Sequence, residues 1–162
     1  MINKNDLTDY FVSGIKDSTN LKIGVEHEKF VLDKSSYFPR NYHEKHGIKD
    51  ILERLSVKGW TPSYDDNHKT IVALSKDKES ITLEPGGQIE LSGAPLDNIH
   101  ETCEETTNHL RELKKLGEEF NFILLGMGVE PNLKLDEFPW MPKQRYKIMK
   151  DYMKRVGTLG QH

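Results

Sequence analysis

Apolar side chains recur along this chain with two different periods, which divide it into helices and strands. Leu7, Tyr10, Phe11 and Ile15 fall at helical spacing near the start. Ile48, Ile51, Leu52 and Leu55 repeat that spacing and predict a short amphipathic helix over 48–57, stopped at Gly59. A longer stripe of Ile99, Cys103, Thr106, Leu110, Leu113 and Phe120 predicts a helix over 97–119, with Pro95 ahead of it and Asp97 as its N-cap. Residues 144–153, behind Pro139 and Pro142, read as a further short helix. Between these, Lys22 to Leu32 reads as a strand and Phe122 to Val129 as a buried one. The runs 70–75, 80–83 and 88–91 are short, β-prone and separated by Asp-Lys or Pro-Gly-Gly, which predicts an antiparallel meander. The class is α+β, an antiparallel sheet with helices packed outside. No repeat, low-complexity tract or linker divides residues 1–162, so they read as one unit.

Composition narrows the function. Hydrophobic residues make up 35% of the 162, enough for a core, and 23 Lys+Arg against 26 Asp+Glu leave a net charge of −3 with the signs interspersed. That balance lacks the basic face of a nucleic-acid binder. The longest apolar stretch, 122–129, is far short of the ~20 residues that span a bilayer, so no membrane partner is expected. Met1 to Leu7 carries no apolar region of a secretory leader. Cys103 is the sole cysteine, so no internal disulfide forms and a cytoplasmic location is expected. Its place on the long helix's stripe predicts a buried, inert thiol.

Candidate chemistry begins at Gly24-Val25-Glu26-His27-Glu28-Lys29-Phe30. Alternate strand side chains share a face, so Glu26 and Glu28 point the same way and His27 the other. Two neighbouring carboxylates are either solvated at a strand edge or hold a hard divalent cation such as Mg²⁺ or Mn²⁺. In Leu83-Glu84-Pro85-Gly86-Gly87-Gln88-Ile89-Glu90-Leu91, the apolar Ile89 and Leu91 take the core side. Glu84, Gln88 and Glu90 are then either surface groups on a Pro-Gly-Gly hairpin or polar groups converging on the first strand. Other patterns fail on spacing. His27-Glu28 and His43-Glu44 lack the second zinc ligand at i+4, where Val31 and Gly47 stand. Gly126-Met127-Gly128 lacks the third glycine of a dinucleotide fingerprint and reads as a tight turn.

These two segments, with Trp140-Met141-Pro142-Lys143-Gln144-Arg145-Tyr146-Lys147-Ile148-Met149, Leu125-Gly126-Met127-Gly128, Tyr152-Met153 and Val156-Gly157-Thr158-Leu159-Gly160, resemble the plant-type glutamate-cysteine ligases of plants and many bacteria. The resemblance implies a fold like that of glutamine synthetase and the guanidino kinases. It also implies ATP-dependent joining of the glutamate γ-carboxyl to the cysteine amino group through a γ-glutamyl phosphate, the first step of glutathione synthesis. By similarity Glu26, Glu28, Glu84 and Glu90 hold the magnesium ions, with Mn²⁺ as a substitute. Gln88 supports them or a substrate, and Arg145 with Tyr146 holds a substrate carboxylate; Arg145 also reads as an ordinary surface arginine. Family members are much longer, so the expectation is an amino-terminal portion that is inactive alone, with an unfinished sheet edge that favours self-association. Two alternatives stay open: a ligase for another γ-glutamyl amine, and a non-catalytic metal- or partner-binding module.

Overall fold

The computed structural model describes residues 2–65 and 68–159, with Leu135 described by its backbone only. Gly160 of the last motif, and Gln161 and His162, lie outside the described residues. Four helices and six strands follow the order α1 (Lys4–Ser13), β1 (Glu26–Asp33), α2 (Ile48–Ser56), β2 (Thr61–Tyr64), β3 (Ile71–Lys76), β4 (Glu79–Leu83), β5 (Ile89–Ser92), α3 (Ile99–Phe120), β6 (Phe122–Leu125) and α4 (Gln144–Val156) among these residues. The strands form one antiparallel sheet in the order β2-β3-β4-β5-β1-β6. The α+β expectation holds, and the meander is β3-β4-β5 as the punctuation predicts.

The β1 register explains the layering. His27 pairs with Leu91, Lys29 with Ile89, and Val31 with Leu124, so these side chains share one face. On it Ile81, Leu83, Ile89 and Leu91 pack with Ile48, Ile51, Leu52 and Leu55 of α2 and Leu113 and Leu116 of α3 in a single buried cluster. The two helices lie side by side there, tied by an Arg54–Glu119 ion pair at 2.9 Å and a Lys58–Glu112 pair at 3.5 Å. His27 meets Thr106 of α3 at 3.2 Å, the structural role its side of the strand predicts. The opposite face of the sheet carries Glu26 and Glu28 in the open, and is closed further along β1 where Phe30 packs on Phe138 with ring centres 6.4 Å apart.

Three local expectations need correction. The α3 cap is Asn98, whose side chain accepts from the His100 and Glu101 amides, while Asp97 instead pairs with Lys22. The buried stripe of α3 is Thr102, His109, Leu113, Leu116 and Gly117, which leaves Ile99 exposed and Cys103 an exposed thiol. A hydropathy stripe misses polar Thr102 and His109 because their burial is decided by what β1 and β5 place opposite them. Finally, β2 went unread: Pro62 and a mostly exposed side-chain pattern hide it, and it is tolerated because it is the sheet's edge.

Candidate active site

On the open face, three rows of cross-strand neighbours carry the acids. Glu26 stands opposite Ser92, and Ser92 opposite Ser80. In the next row Glu28 stands opposite Glu90, and Glu90 opposite Thr82. Beyond it Glu84 and Gln88 face each other across the Pro85-Gly86-Gly87 turn, closed by amide-to-carbonyl bonds from Glu84 to Gln88 and from Gly87 to Glu84, both 3.0 Å. Gly87 has φ +88, a left-handed value that a side chain resists, and this turn places Glu84 beside Glu90. Glu26, Glu28, Glu84 and Glu90 thus share one face, and Gln88 borders them with its Oε1 buried and unpartnered among the described residues.

Crowding of like charge has a measurable consequence. Glu90 is 8% exposed and accepts the Thr82 hydroxyl at 2.8 Å and the Ser92 hydroxyl at 3.4 Å. Glu84 holds its proton above the usual carboxylate range, because burial and the neighbouring Glu90 and Glu28 charges disfavour ionisation and a hydrogen bond to Glu90 retains the acid form. All-oxygen donors with uncompensated negative charge are the donor set of a hard divalent cation. Among the described residues no three such side chains are drawn into a finished cage.

The counter-charge comes from a residue the sequence reading passed over. Met141 donates its amide to Pro85 at 2.9 Å and its side chain lies against Gly87, so the segment before α4 crosses the acidic turn. Lys143, next in line, donates through Nζ to the Leu83 carbonyl at 2.9 Å. Burial and Arg145 pull the Lys143 ammonium down, while Glu84, Asp65 and Glu90 push it back up. The signal was available, since Lys143 lies between the prolines and Arg145-Tyr146 in a quoted motif.

Arg145 and Tyr146 differ in exposure. Arg145 is exposed, its guanidinium carbon 5.1 Å from the Tyr146 ring centre. Tyr146 is 1% exposed, and its hydroxyl also donates to the Leu83 carbonyl, so it fastens α4 under the site. A family model described as glutamate-cysteine ligase family 2 (GCS2) matches residues 22–162, which include Glu26, Glu28, Glu84, Gln88, Glu90, Lys143, Arg145 and Tyr146. The chain belongs to that family. It is 44% identical to the chloroplastic glutamate-cysteine ligase A of Oryza sativa subsp. japonica over 160 residues, 98% of this chain and 32% of the rice protein. It is 42% identical to the chloroplastic glutamate-cysteine ligase of Medicago truncatula and 40% identical to that of Arabidopsis thaliana, covering 30% of each. The chain therefore spans about a third of the length of these curated relatives. Their names also overturn the cytoplasmic expectation, since each is chloroplastic. A single cysteine forms no internal disulfide and does not say which compartment holds the chain.

Proposed function

We propose that residues 1–162 form the amino-terminal part of a glutamate-cysteine ligase with a glutamine-synthetase-like catalytic sheet. The reaction is ATP-dependent ligation of the glutamate γ-carboxyl to the cysteine amine through a γ-glutamyl phosphate. The observation that carries this reading is the acidic face of Glu26, Glu28, Glu84 and Glu90, with Lys143 beside it. In this reading those four carboxylates hold Mg²⁺ or Mn²⁺, which when bound neutralises charge on the phosphates and on the acyl group. Gln88 and Thr82 orient the carboxylates, and Arg145 at the rim takes a substrate carboxylate. Tyr146, buried on Leu83, acts by holding α4 and Lys143 in position.

Among the described residues β6 is an edge strand of the sheet, which favours self-association of this portion as a second property. The test of function is incubation of the purified chain with ATP, Mg²⁺, glutamate and cysteine, followed by mass spectrometry for γ-glutamylcysteine and ADP, alongside Mn²⁺ titration. We expect Mn²⁺ to bind through the four glutamates and no product to form from this portion alone. Product above a Glu26→Gln control would overturn the incompleteness argument. No Mn²⁺ binding at all would overturn the metal assignment and favour a partner-binding module.

A further inference from the structure

On the helical side of the sheet, away from the acidic face, α3 and the β3–β4 hairpin border a cavity of about 700 Å³. Lys76 pairs with Glu79 and Leu74 with Ile81 in the β3–β4 register, so all four side chains share the face that packs on α2 and α3. Lys76 and Glu79 line the cavity with Trp60, and α3 adds Glu105 and His109, one turn apart. Three buried polar atoms of this lining have no hydrogen-bond partner among the described residues: Trp60 Nε1, Glu105 Oε2 and His109 Nδ1. Trp60 and His109 are each only 5% exposed. Buried polar groups are ordinarily satisfied, so an indole donor and a carboxylate acceptor left over on one cavity call for a polar group from outside the chain.

Both signs of charge meet on this wall. The Lys76 ammonium lies over the Trp60 ring, 5.6 Å from its centre. Across the rung, burial and then the Glu105 charge hold the Glu79 proton above the usual carboxylate range, against the pull of Lys76. The remaining charged groups of the lining are likewise of both signs. An anion here would meet Glu79 and Glu105, and a cation would meet Lys76. A ligand with an ammonium and a carboxylate on one carbon satisfies both, because Lys76 and Glu79 are neighbours on one rung. We propose that this cavity binds a free aliphatic α-amino acid, with its ammonium on Glu79 and Glu105 and its carboxylate on Lys76 and Trp60 Nε1. Ala94 and Leu96, the apolar part of the lining beside α3, receive the side chain. The site is separated by the sheet from Glu28, Glu84 and Glu90, and it does not rest on the ligase reading.

The chain holds 2 tryptophans, Trp60 and Trp140, so a nitrogen–proton correlation spectrum of the full chain reads the Trp60 indole N–H directly once Trp140→Phe has assigned the other signal. The probes are L-leucine, N-acetyl-L-leucine, which lacks the ammonium, and L-leucinamide, which lacks the carboxylate; none is a substrate in the ligase reading. Leucine should move the Trp60 indole signal saturably and leave that of Trp140 in place. Each derivative should bind about fivefold or more weakly. Glu105→Gln keeps an acceptor for the Ala94 amide, now held at 2.8 Å, and should weaken leucine to a similar extent with an unchanged circular dichroism spectrum. Should that variant not fold, Glu79→Gln at the end of the hairpin takes its place, with the same loss expected. No saturable shift with leucine would overturn the proposal. So would equal binding of all three probes, which would reduce the site to an apolar contact, or a loss confined to one derivative, which would leave half of the recognition unsupported. Unchanged leucine binding in a folded glutamine variant would overturn it as well.

Discussion

Glu28 and Glu90 stand directly opposite each other in the β1–β5 register, two carboxylates facing across one rung of an antiparallel pair. Like charges so placed destabilise a sheet. Glu90→Gln should therefore stabilise the metal-free chain by about 0.5 kcal/mol, keeping an acceptor for Thr82. In excess Mn²⁺ the order should reverse, because the variant loses a ligand. Urea denaturation with and without Mn²⁺ checks both halves, and a variant that is less stable in both conditions would refute the repulsion argument.

Glu26→Gln and Glu84→Gln should each weaken Mn²⁺ binding while leaving the circular dichroism spectrum unchanged. Glu84 also predicts proton release. Its raised pKa means that in mildly acidic solution, where an ordinary glutamate is already ionised, the free chain keeps more of this proton for a bound cation to displace. Calorimetric titration in buffers of different ionisation enthalpy should detect that release in the unaltered chain and less of it in Glu84→Gln. Identical Mn²⁺ titrations for both variants would remove the metal assignment.

Gly87→Ala should cost about 1–2 kcal/mol. The residue sits at φ +88, and an added Cβ would also meet the Met141 methyl at 3.0 Å. The same change should loosen Lys143, since Met141 anchors that segment to the turn. An unchanged urea midpoint would show that the turn relaxes without strain.

His109 predicts a dependence of stability on pH. Burial, together with the Lys29 and His27 charges of β1, pulls its imidazole down to about 4 from 6.5. The unfolded chain thus takes up this proton first as pH falls. The stabilisation is complete above about pH 6.5 and is lost progressively toward pH 4, by up to about 3 kcal/mol. His109→Gln should flatten that part of the stability profile relative to the unaltered chain. Parallel profiles would place the titration elsewhere.

Removal of residues 2–13 should leave the stability of the sheet within about 0.5 kcal/mol. None of the residues of α1 is buried, and Tyr10 and Phe11 are 76% and 77% exposed. If self-association proceeds through this helix, sedimentation of the shortened chain should show monomer only. A large loss of stability would mean that α1 packs on the sheet.

Where one period dominated, the sequence was legible. Ile48, Ile51, Leu52 and Leu55 are all buried as the α2 spacing requires, because a two-turn helix with four apolar residues has one way to hide them. The alternation in β1 and β5 likewise put Glu26, Glu28 and Glu90 on the side away from the core before any strand was paired. What the pattern did not hold was the partner of each residue. The stripe of α3 was misread because buried Thr102 and His109 look polar in isolation, and α1 has a clear stripe yet buries nothing.

By itself, then, the sequence determined the faces: period two and period 3.6 are local properties of backbone geometry, and the acidic motifs and the family resemblance are local too. Only the tertiary structure decided that Glu28 meets Glu90, that Tyr146 is spent on Leu83, and that Lys143 lies near Glu84 and Glu90. Register, close approach and burial are relations between segments far apart in the chain. They are settled by how the apolar faces of β1, β5, α2 and α3 pack into one core, which no window of sequence contains.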